Sequence, residues 1–245
     1  MDLSESELER YDRQLRIRGW DINGQKRLKA SKVAVVGLGG LGSASSIYLA
    51  AAGVGSLTLI DHDKVSLPDL NRQILYSEEN IGLSKAEAAK TRIESLNSKV
   101  KVNPVESRVT EKNIGSLIGE VDVVVDGLDN WKTRFIINEY CVKKGIPLVH
   151  GGVSEFYGQI TTIIPRRGPC LRCIFPTQPL ETMHIPIFGA TPAVIASIQA
   201  AETIKIITGI GKPLVGRLLL IDLEEATFEE AKINRNPNCP TCSSK

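Results

Sequence analysis

Residues 32–42 read Lys-Val-Ala-Val-Val-Gly-Leu-Gly-Gly-Leu-Gly, and residues 55–61 read Gly-Ser-Leu-Thr-Leu-Ile-Asp. Each apolar run is short and nearly continuous, which predicts two strands, at residues 31–36 and 56–60, covered on both faces. Between them the Ala-rich residues 41–52 predict a helix that ends at Gly53. A strand, a glycine turn, a helix and a second strand that ends in an acid predict the mononucleotide-binding half of a parallel α/β sheet.

The glycines of this stretch have separate tasks in a Rossmann-type unit. Gly37 permits the tight turn, Gly39 leaves room for a phosphate, and Gly42 lets the helix lie close to the strand. A phosphate would bind the free N–H groups at the helix N-terminus. Asp61 stands where a ribose-binding carboxylate is expected, and Asp63 is the alternative. Alone, this motif points first to NAD or FAD.

The bulk properties are those of an ordinary globular chain. Of 245 residues 42% are hydrophobic and 24% charged, and a net charge of +2 gives no electrostatic reason to expect nucleic acid as a direct partner. No signal peptide and no apolar run of about 18 residues is visible, so a cytoplasmic protein without a membrane segment is expected.

The cysteines predict a metal site. Cys170 and Cys173 form one Cys-x-x-Cys pair, and Cys239 and Cys242 form another. In a reducing compartment, two such pairs favour a structural tetrathiolate Zn²⁺ site that joins distant segments of the chain. Redox-active dithiols are the alternative. Cys141 lies in a helical pattern and is interpreted as core packing.

Residues 1–30 predict a polar helical arm that carries Arg13 among several arginines. Composition alone favours a surface helix whose arginines lie along the protein surface.

Between residues 64 and 84 the chain is turn-rich and contains Asn71, Arg72 and Gln73, a guanidinium and two amides that would suit a triphosphate better than a dinucleotide. Ser84 is the predicted N-cap of a helix that begins at Lys85, near the phosphate crevice, although a plain surface lysine is an equal alternative.

A fourth strand, predicted at residues 121–125, is followed by Asp126-Gly127-Leu128-Asp129-Asn130. Ligands of open parallel sheets collect at the C-terminal strand ends, so Asp129 is expected in the same crevice as Gly37. A carboxylate beside a triphosphate is a natural Mg²⁺ ligand, and these residues also suit a cap for the helix predicted at 131–144.

Further elements complete an α/β fold, a mostly parallel Rossmann-like sheet continued by antiparallel strands. Strands are predicted at 101–105, 147–150, 157–165, 215–222 and 227–233, and helices at 111–118 and 192–207, with a long loop at 174–191. We expect a single domain over residues 1–245, with the arm at 1–30, a nucleotide-binding half at 31–150 and a second half at 151–245 that carries the zinc site.

In this order and spacing the motifs resemble the ThiF/MoeB family, the prokaryotic relatives of ubiquitin-activating enzymes, over essentially the whole chain. The nearest type within it is the molybdopterin-synthase adenylyltransferase. The motifs that carry the resemblance are residues 10–14 (Arg-Tyr-Asp-Arg-Gln), the glycines Gly37, Gly39, Gly40 and Gly42, the acids Asp61 and Asp63, residues Asn71, Arg72 and Gln73, Lys85, the pair Asp129 and Asn130, and the four paired cysteines.

The resemblance implies ATP-dependent adenylation of the C-terminal glycine of a small ubiquitin-like sulfur carrier that ends in Gly-Gly. It implies that Asp61, Arg72, Gln73 and Lys85 contact the nucleotide and that Asp129 holds Mg²⁺. It also implies a homodimer in which Arg13, on a flexible arm, reaches the phosphates of the other subunit, and a carrier that docks on residues 151–245. The catalytic set is then Arg13, Arg72, Lys85 and Asp129.

One departure concerns the loop at 174–191. Some relatives carry a cysteine there for a covalent link to the carrier, whereas residues 181–186 here read Glu-Thr-Met-His-Ile-Pro. We therefore predict that the reaction stops at the acyl-adenylate, with His184 as a weak stand-in for the cysteine. The alternatives are an NAD-dependent oxidoreductase, a tRNA dehydratase that acts by adenylation, and a non-catalytic module that binds a carrier.

Overall fold

The computed structural model describes residues 2–180 and 185–243. In that part of the chain the helices are α1 (Glu5–Arg10), α2 (Asp12–Leu15), α3 (Asp21–Ala30), α4 (Gly40–Ala52), α5 (Lys85–Leu96), α6 (Ile114–Ile118), α7 (Trp131–Lys144), α8 (Leu171–Ile174) and α9 (Ala190–Thr208). The strands are β1 (Lys32–Val36), β2 (Ser56–Asp61), β3 (Lys101–Glu106), β4 (Val123–Asp126), β5 (Leu148–Ser154), β6 (Tyr157–Ile163), β7 (Arg217–Asp222) and β8 (Thr227–Lys232).

Within the described residues the strands form one sheet in the order β3-β2-β1-β4-β5-β6-β7-β8. The first five strands in this order are parallel, and β6, β7 and β8 continue the sheet antiparallel, as predicted. The chain leaves β1 in one direction to reach β2 and β3 and returns on its other side to β4. This reversal opens a crevice at the C-terminal ends of β1 and β4.

Two layers of buried side chains cover the sheet. On one face α4, α5 and α9 pack against the strands around Val33, Val35, Leu57 and Ile160, all fully buried. On the other face, a second cluster contains Ala34, Val124 and Phe135 and continues into the cysteines near α8. The alternate residues of β1 belong to different clusters, which is what a strand buried on both faces requires.

The predicted elements are present, with shifted ends. β5 extends to Ser154 rather than stopping at residue 150, and α6 begins at Ile114 rather than at residue 111. α9 begins at Ala190, two residues before Pro192. The boundary expected between residues 150 and 151 therefore falls inside a strand.

The arm at residues 1–30 is packed against the body of the protein, which corrects the expectation of a flexible arm. The Tyr11 side chain is 4% exposed, and its hydroxyl accepts a hydrogen bond of 2.9 Å from the Asn97 side chain. Its ring also fills the space beside Gly53, where a Cβ atom would lie 2.5 Å from the ring. Tyr11 thereby fixes the position of α2, which carries Arg13.

No helix among the described residues is long and apolar enough to cross a membrane.

Candidate active site

A cleft of about 1930 Å³ opens at the C-terminal ends of β1, β2 and β4 and continues onto the antiparallel strands. The predicted site residues that line it are Gly37, Gly39, Gly40, Asp61, Asp63, Arg72, Gln73, Lys85, Asp129 and Asn130. Three others do not line it, namely Arg13, Gly42 and Asn71.

The glycine turn is built from backbone atoms in close contact. Gly37 has φ +87°, and a Cβ atom there would lie 2.7 Å from the Gly127 carbonyl oxygen at the end of β4. A Cβ atom at Gly42 would lie 1.8 Å from the Gly37 carbonyl oxygen. α4 begins at Gly40 without a side-chain cap, so its first N–H groups face the cleft and suit an anion.

Asp61 supports this turn from the end of β2. Its two carboxylate oxygens accept hydrogen bonds from the backbone N–H groups of Leu38, at 2.7 Å, and of Asp63, at 2.8 Å. Burial raises the pKa of Asp61 above its ordinary value, although these bonds and the nearby Lys85 act in the opposite direction. The carboxylate predicted to bind a ribose therefore fixes the position of the glycine turn.

Lys85, Arg72 and Gln73 meet at Asp69, which lies in the turn-rich segment at residues 64–84 and was not predicted as a site residue. The Asp69 carboxylate lies 3.4 Å from Lys85 Nζ and 3.8 Å from Arg72 Nη2, and it accepts a hydrogen bond of 2.8 Å from Gln73 Nε2. A signal was present, because Ser66-x-x-Asp69 has the spacing of a capping box, and the Asp69 carboxylate accepts the Ser66 N–H group there.

The other predicted nucleotide contacts of this region differ in position. Asp63 is exposed, and its carboxylate lies 4.0 Å from Lys85 Nζ. Asn71 is exposed outside the cleft, where its side chain accepts a hydrogen bond from Arg72. Ser84 occupies the N-cap of α5, but its hydroxyl makes no capping bond. Lys85 is buried rather than a plain surface lysine.

The end of β4 presents Asp129 to the cleft. Asp129 is exposed, while the next residue, Asn130, caps α7 by accepting a hydrogen bond of 3.0 Å from the Thr133 N–H group. Asp126 is fully buried and does not line the cleft, so it neither faces a metal ion there nor caps α7.

The buried partners of Asp126 were not predicted from the sequence. His150 Nδ1 donates to the Asp126 carboxylate at 2.6 Å, and Arg134 Nε lies 3.4 Å from it. Burial lowers the pKa of His150 below its ordinary value, so the ring is neutral at neutral pH. Arg134 also donates to the backbone oxygens of Leu128 and Gly151, which ties the turn that carries Asp129 to β5.

Arg13 is exposed on α2 and makes no hydrogen bond or ion pair within residues 2–180 and 185–243. Its helix is anchored, since Tyr11 is buried at the helix N-terminus and Gln14 donates to the Ala52 carbonyl oxygen. The guanidinium therefore projects from a fixed helix and does not line the cleft of its own chain.

The four paired cysteines converge as predicted. Their sulfur atoms all lie within 4.8 Å of one another, with 3.6 Å between Cys170 and Cys239 and 3.4 Å between Cys173 and Cys242. Zn–S bonds of about 2.3 Å in a tetrahedron place sulfur atoms about 3.8 Å apart, so this donor set fits Zn²⁺. Burial raises the pKa of the Cys170 thiol. Cys141 is fully buried and lies apart from this group, as predicted.

Residues 11–241 match the ThiF family. This span contains the glycine turn, the Asp69 cluster, Asp129 and all four paired cysteines. The chain belongs to this family.

Curated relatives agree over the full length. A sulfur carrier protein adenylyltransferase of Thermus thermophilus is 41% identical, with 99% of this chain and 93% of the relative covered. A molybdopterin-synthase adenylyltransferase of Escherichia coli is also 41% identical, with 98% of each chain covered. These matches confirm the resemblance to the ThiF/MoeB family.

The solved structures agree on the fold. A crystal structure of E. coli MccB with MccA-N7isoASN superposes with a TM-score of 0.89 and 24% identity, over 99% of this chain and 76% of that one. At this identity the likeness concerns the fold alone.

His184, the proposed stand-in for a loop cysteine of some ThiF-family members, lies outside the described residues.

Proposed function

We propose that this ThiF-family protein adenylates the C-terminal carboxylate of a small ubiquitin-like sulfur carrier that ends in Gly-Gly. A carboxylate oxygen of the carrier attacks the α-phosphorus of ATP, the bond from that phosphorus to the bridging oxygen breaks, and pyrophosphate leaves. The products are the acyl-adenylate and pyrophosphate. The observation that carries the proposal is the convergence of the glycine turn, Arg72, Lys85 and Asp129 on one cleft.

This reaction needs charge compensation rather than proton transfer. A carboxylate is already ionised at neutral pH, so no general base is required. The requirements are alignment of the nucleophile and cations beside the phosphates. Lys85 and Arg72 supply cations at the cleft wall, and the N-terminus of α4 supplies backbone N–H groups. An NAD-dependent oxidoreductase would leave both cations without a ligand.

Magnesium fits the same cleft. Asp129 is an exposed carboxylate at the end of β4 and would hold Mg²⁺ together with phosphate oxygens, the hard ligands that this ion prefers. Bound there, the ion would neutralise the charge of the triphosphate and of the leaving pyrophosphate. The tetrathiolate site would hold Zn²⁺ in a structural role, because four sulfur ligands leave no position for a substrate.

Arg13 is proposed to act in trans within a homodimer. It projects from an anchored helix, does not line its own cleft, and has no partner in the described part of its own chain. The loop that carries Arg72 exposes two apolar side chains, Leu67 at 64% and Ile74 at 52%, which favours a protein partner on that side. A second copy packed there would bring its Arg13 to the phosphates.

The carrier is proposed to dock on the antiparallel half of the sheet. The register places Tyr157 opposite Asp222, and Leu220 opposite Glu229, on the sheet face that lines the cleft. Tyr157 is 49% and Leu220 38% exposed. The acids nearby, Asp222 first among them, raise the pKa of Tyr157. This face therefore fits a carrier surface that combines apolar and basic side chains, with the carrier C-terminus extending into the cleft.

The deciding experiment is carrier-dependent exchange of pyrophosphate into ATP. Candidate carriers that end in Gly-Gly are offered with Mg-ATP, and the acyl-adenylate is identified by mass. In Asp129→Ala the exchange rate is expected to fall by a factor of about 10²–10³. Glu120 is exposed far from the cleft, and Glu120→Ala is expected to keep the full exchange rate.

Three results would contradict the proposal. No exchange by folded enzyme with any Gly-Gly carrier would leave the non-catalytic module as the better account. Tight NAD binding without ATP binding would favour the oxidoreductase. Adenylation of a tRNA base instead of a carrier would identify the dehydratase.

A further inference from the structure

Asp69 connects the side chains that are proposed to bind the triphosphate. One carboxylate oxygen accepts the Gln73 amide at 2.8 Å and lies 3.8 Å from Arg72, while the other lies 3.4 Å from the Lys85 ammonium. The Asp69 backbone oxygen also accepts the N–H groups of Arg72 and Gln73, at 3.2 and 2.9 Å. A single residue thus contacts all three.

Asp69 is itself fixed in place. It ends the short 3₁₀ turn Leu67–Asp69, and its second carboxylate oxygen accepts the Ser66 N–H group at 2.9 Å and the Ser66 hydroxyl at 2.8 Å. Asp69 is only 8% exposed. Burial acts to raise its pKa, but the bonds from Ser66 and the ammonium of Lys85 hold that pKa below its ordinary value. The residue is therefore a rigid anion at neutral pH.

We propose that Asp69 is a positioning residue, which holds Lys85 and Arg72 in their phosphate-binding positions before the nucleotide arrives. This inference rests on the proposed ATP-dependent reaction. Unrestrained lysine and arginine side chains each carry about 2 kcal/mol of rotamer entropy, which is lost when the transition state fixes them. An anion that holds both cations in advance removes that loss from the catalytic step.

The same charge has an opposite effect on binding. A fixed anion beside the phosphate cations repels the incoming triphosphate, so it weakens the ground-state affinity for Mg-ATP. Asp69 would therefore raise kcat and also raise Kd for the nucleotide. A residue that served only the stability of the turn would not move these two quantities in this way.

Asp69→Asn tests this with little change of shape. The Asn oxygen is able to accept from Ser66, and its NH₂ group is able to donate to Gln73 Oε1, a buried atom that has no partner in the described structure. We expect a three- to tenfold lower Kd for Mg-ATP, from the lost repulsion. We expect kcat for carrier-dependent exchange to fall tenfold to a hundredfold, from misplaced cations.

Two further variants isolate the effect. Asp69→Glu keeps the charge but moves it, so it is expected to bind Mg-ATP within about twofold of the unaltered protein and to lose kcat. Glu87→Gln removes one charge from the exposed face of α5, the helix that begins at Lys85, and is expected to change neither quantity. Kd is measured by titration calorimetry without carrier, and folding by circular dichroism.

The outcomes are distinct. If the folded Asp69→Asn variant binds Mg-ATP no more tightly than the unaltered protein, or keeps its kcat, the inference is wrong. If Asp69→Asn is too unstable to purify, an unchanged kcat in Asp69→Glu is sufficient to overturn it. If the unaltered protein gives no binding heat with Mg-ATP, the proposed function fails, and this is separate from any result on Asp69.

Discussion

Replacing Asp126 by asparagine should strongly destabilise this protein although it changes almost no volume. The Asp126 carboxylate is fully buried and contacts His150 at 2.6 Å, the Leu128 N–H group at 3.0 Å and Arg134 at 3.4 Å. Arg134 has only 7% of its side chain exposed. Asp126→Asn would leave that guanidinium buried without a counter-ion.

The magnitude follows from this burial. Removing one partner of a buried ion pair costs about 3–5 kcal/mol, because the remaining charge stays away from water. Arg134 keeps its two backbone acceptors, so we expect the lower half of that range, about 3–4 kcal/mol. For a chain of this length each kcal/mol lowers Tm by about 2–4 °C, which gives a fall of about 6–16 °C.

The assay is urea unfolding at pH 7, monitored by circular dichroism, for Asp126→Asn, Arg134→Met and the double variant. The double variant removes both charges, so its loss should be about 1–3 kcal/mol smaller than the sum of the two single losses. An Asp126→Asn variant within 1 kcal/mol of the unaltered protein would refute the argument, as would strict additivity of the two changes.

Three further predictions concern other parts of the molecule. The purified protein should contain about one Zn²⁺ per chain and lose thermal stability on chelation, with recovery when Zn²⁺ is returned; unchanged stability of the metal-free chain would exclude a structural site at Cys170 and its partners. Arg13→Ala and Lys85→Ala should each be inactive. An equal mixture of the two variants that exchanges subunits should regain about a quarter of full activity, because half of the dimers are mixed and each mixed dimer has one intact site. No regain would place Arg13 in cis. Because the pKa of His150 is lowered in the folded protein, the unfolded chain takes up a proton that the folded chain does not, and the free energy of unfolding should fall as pH drops below about 6.5. His150→Asn retains a donor for Asp126 and should flatten this pH dependence. Unfolding curves recorded at a series of pH values provide the test.

The sequence predicted the sheet well because its strands are buried on both faces and lie between clear helix signals. The predicted strands at 215–222 and 227–233 leave a short connection, in which the Asp222 side chain accepts the N–H groups of Glu224 and Glu225. These features depend on neighbours in the chain, which local patterns encode.

The extension of β5 was missed because its glycines were interpreted as the end of the strand. Gly151 lies inside β5, and a Cβ atom there would lie 2.7 Å from Gln199 Nε2 on α9. The glycine allows the helix to approach the sheet closely. The need for a glycine at position 151 arises from Gln199, which lies 48 positions further along the chain, so no local pattern reveals it.

For the candidate site, the sequence predicted residues that the structure gathers at one cleft, but not how their side chains are held. Arg72 and Lys85 were singled out for their charge, whereas Asp69 looked like part of a turn. Likewise the buried partners of Asp126 come from β5 and α7, which meet only when the sheet forms. Such supporting contacts join distant segments, and the composition of any one segment does not predict them.

The contact between Gly37 and Gly127 has a consequence for which substitutions the cleft tolerates. A Cβ atom at Gly127 would lie 2.2 Å from the Gly37 carbonyl oxygen, so main-chain atoms alone form the floor of the cleft at this point. Selection cannot adjust such a floor by exchanging side chains, and a mutational scan should find it nearly invariant. Side chains are able to tune ligand preference only at the walls of the cleft, where Asp61, Arg72 and Lys85 lie in this chain.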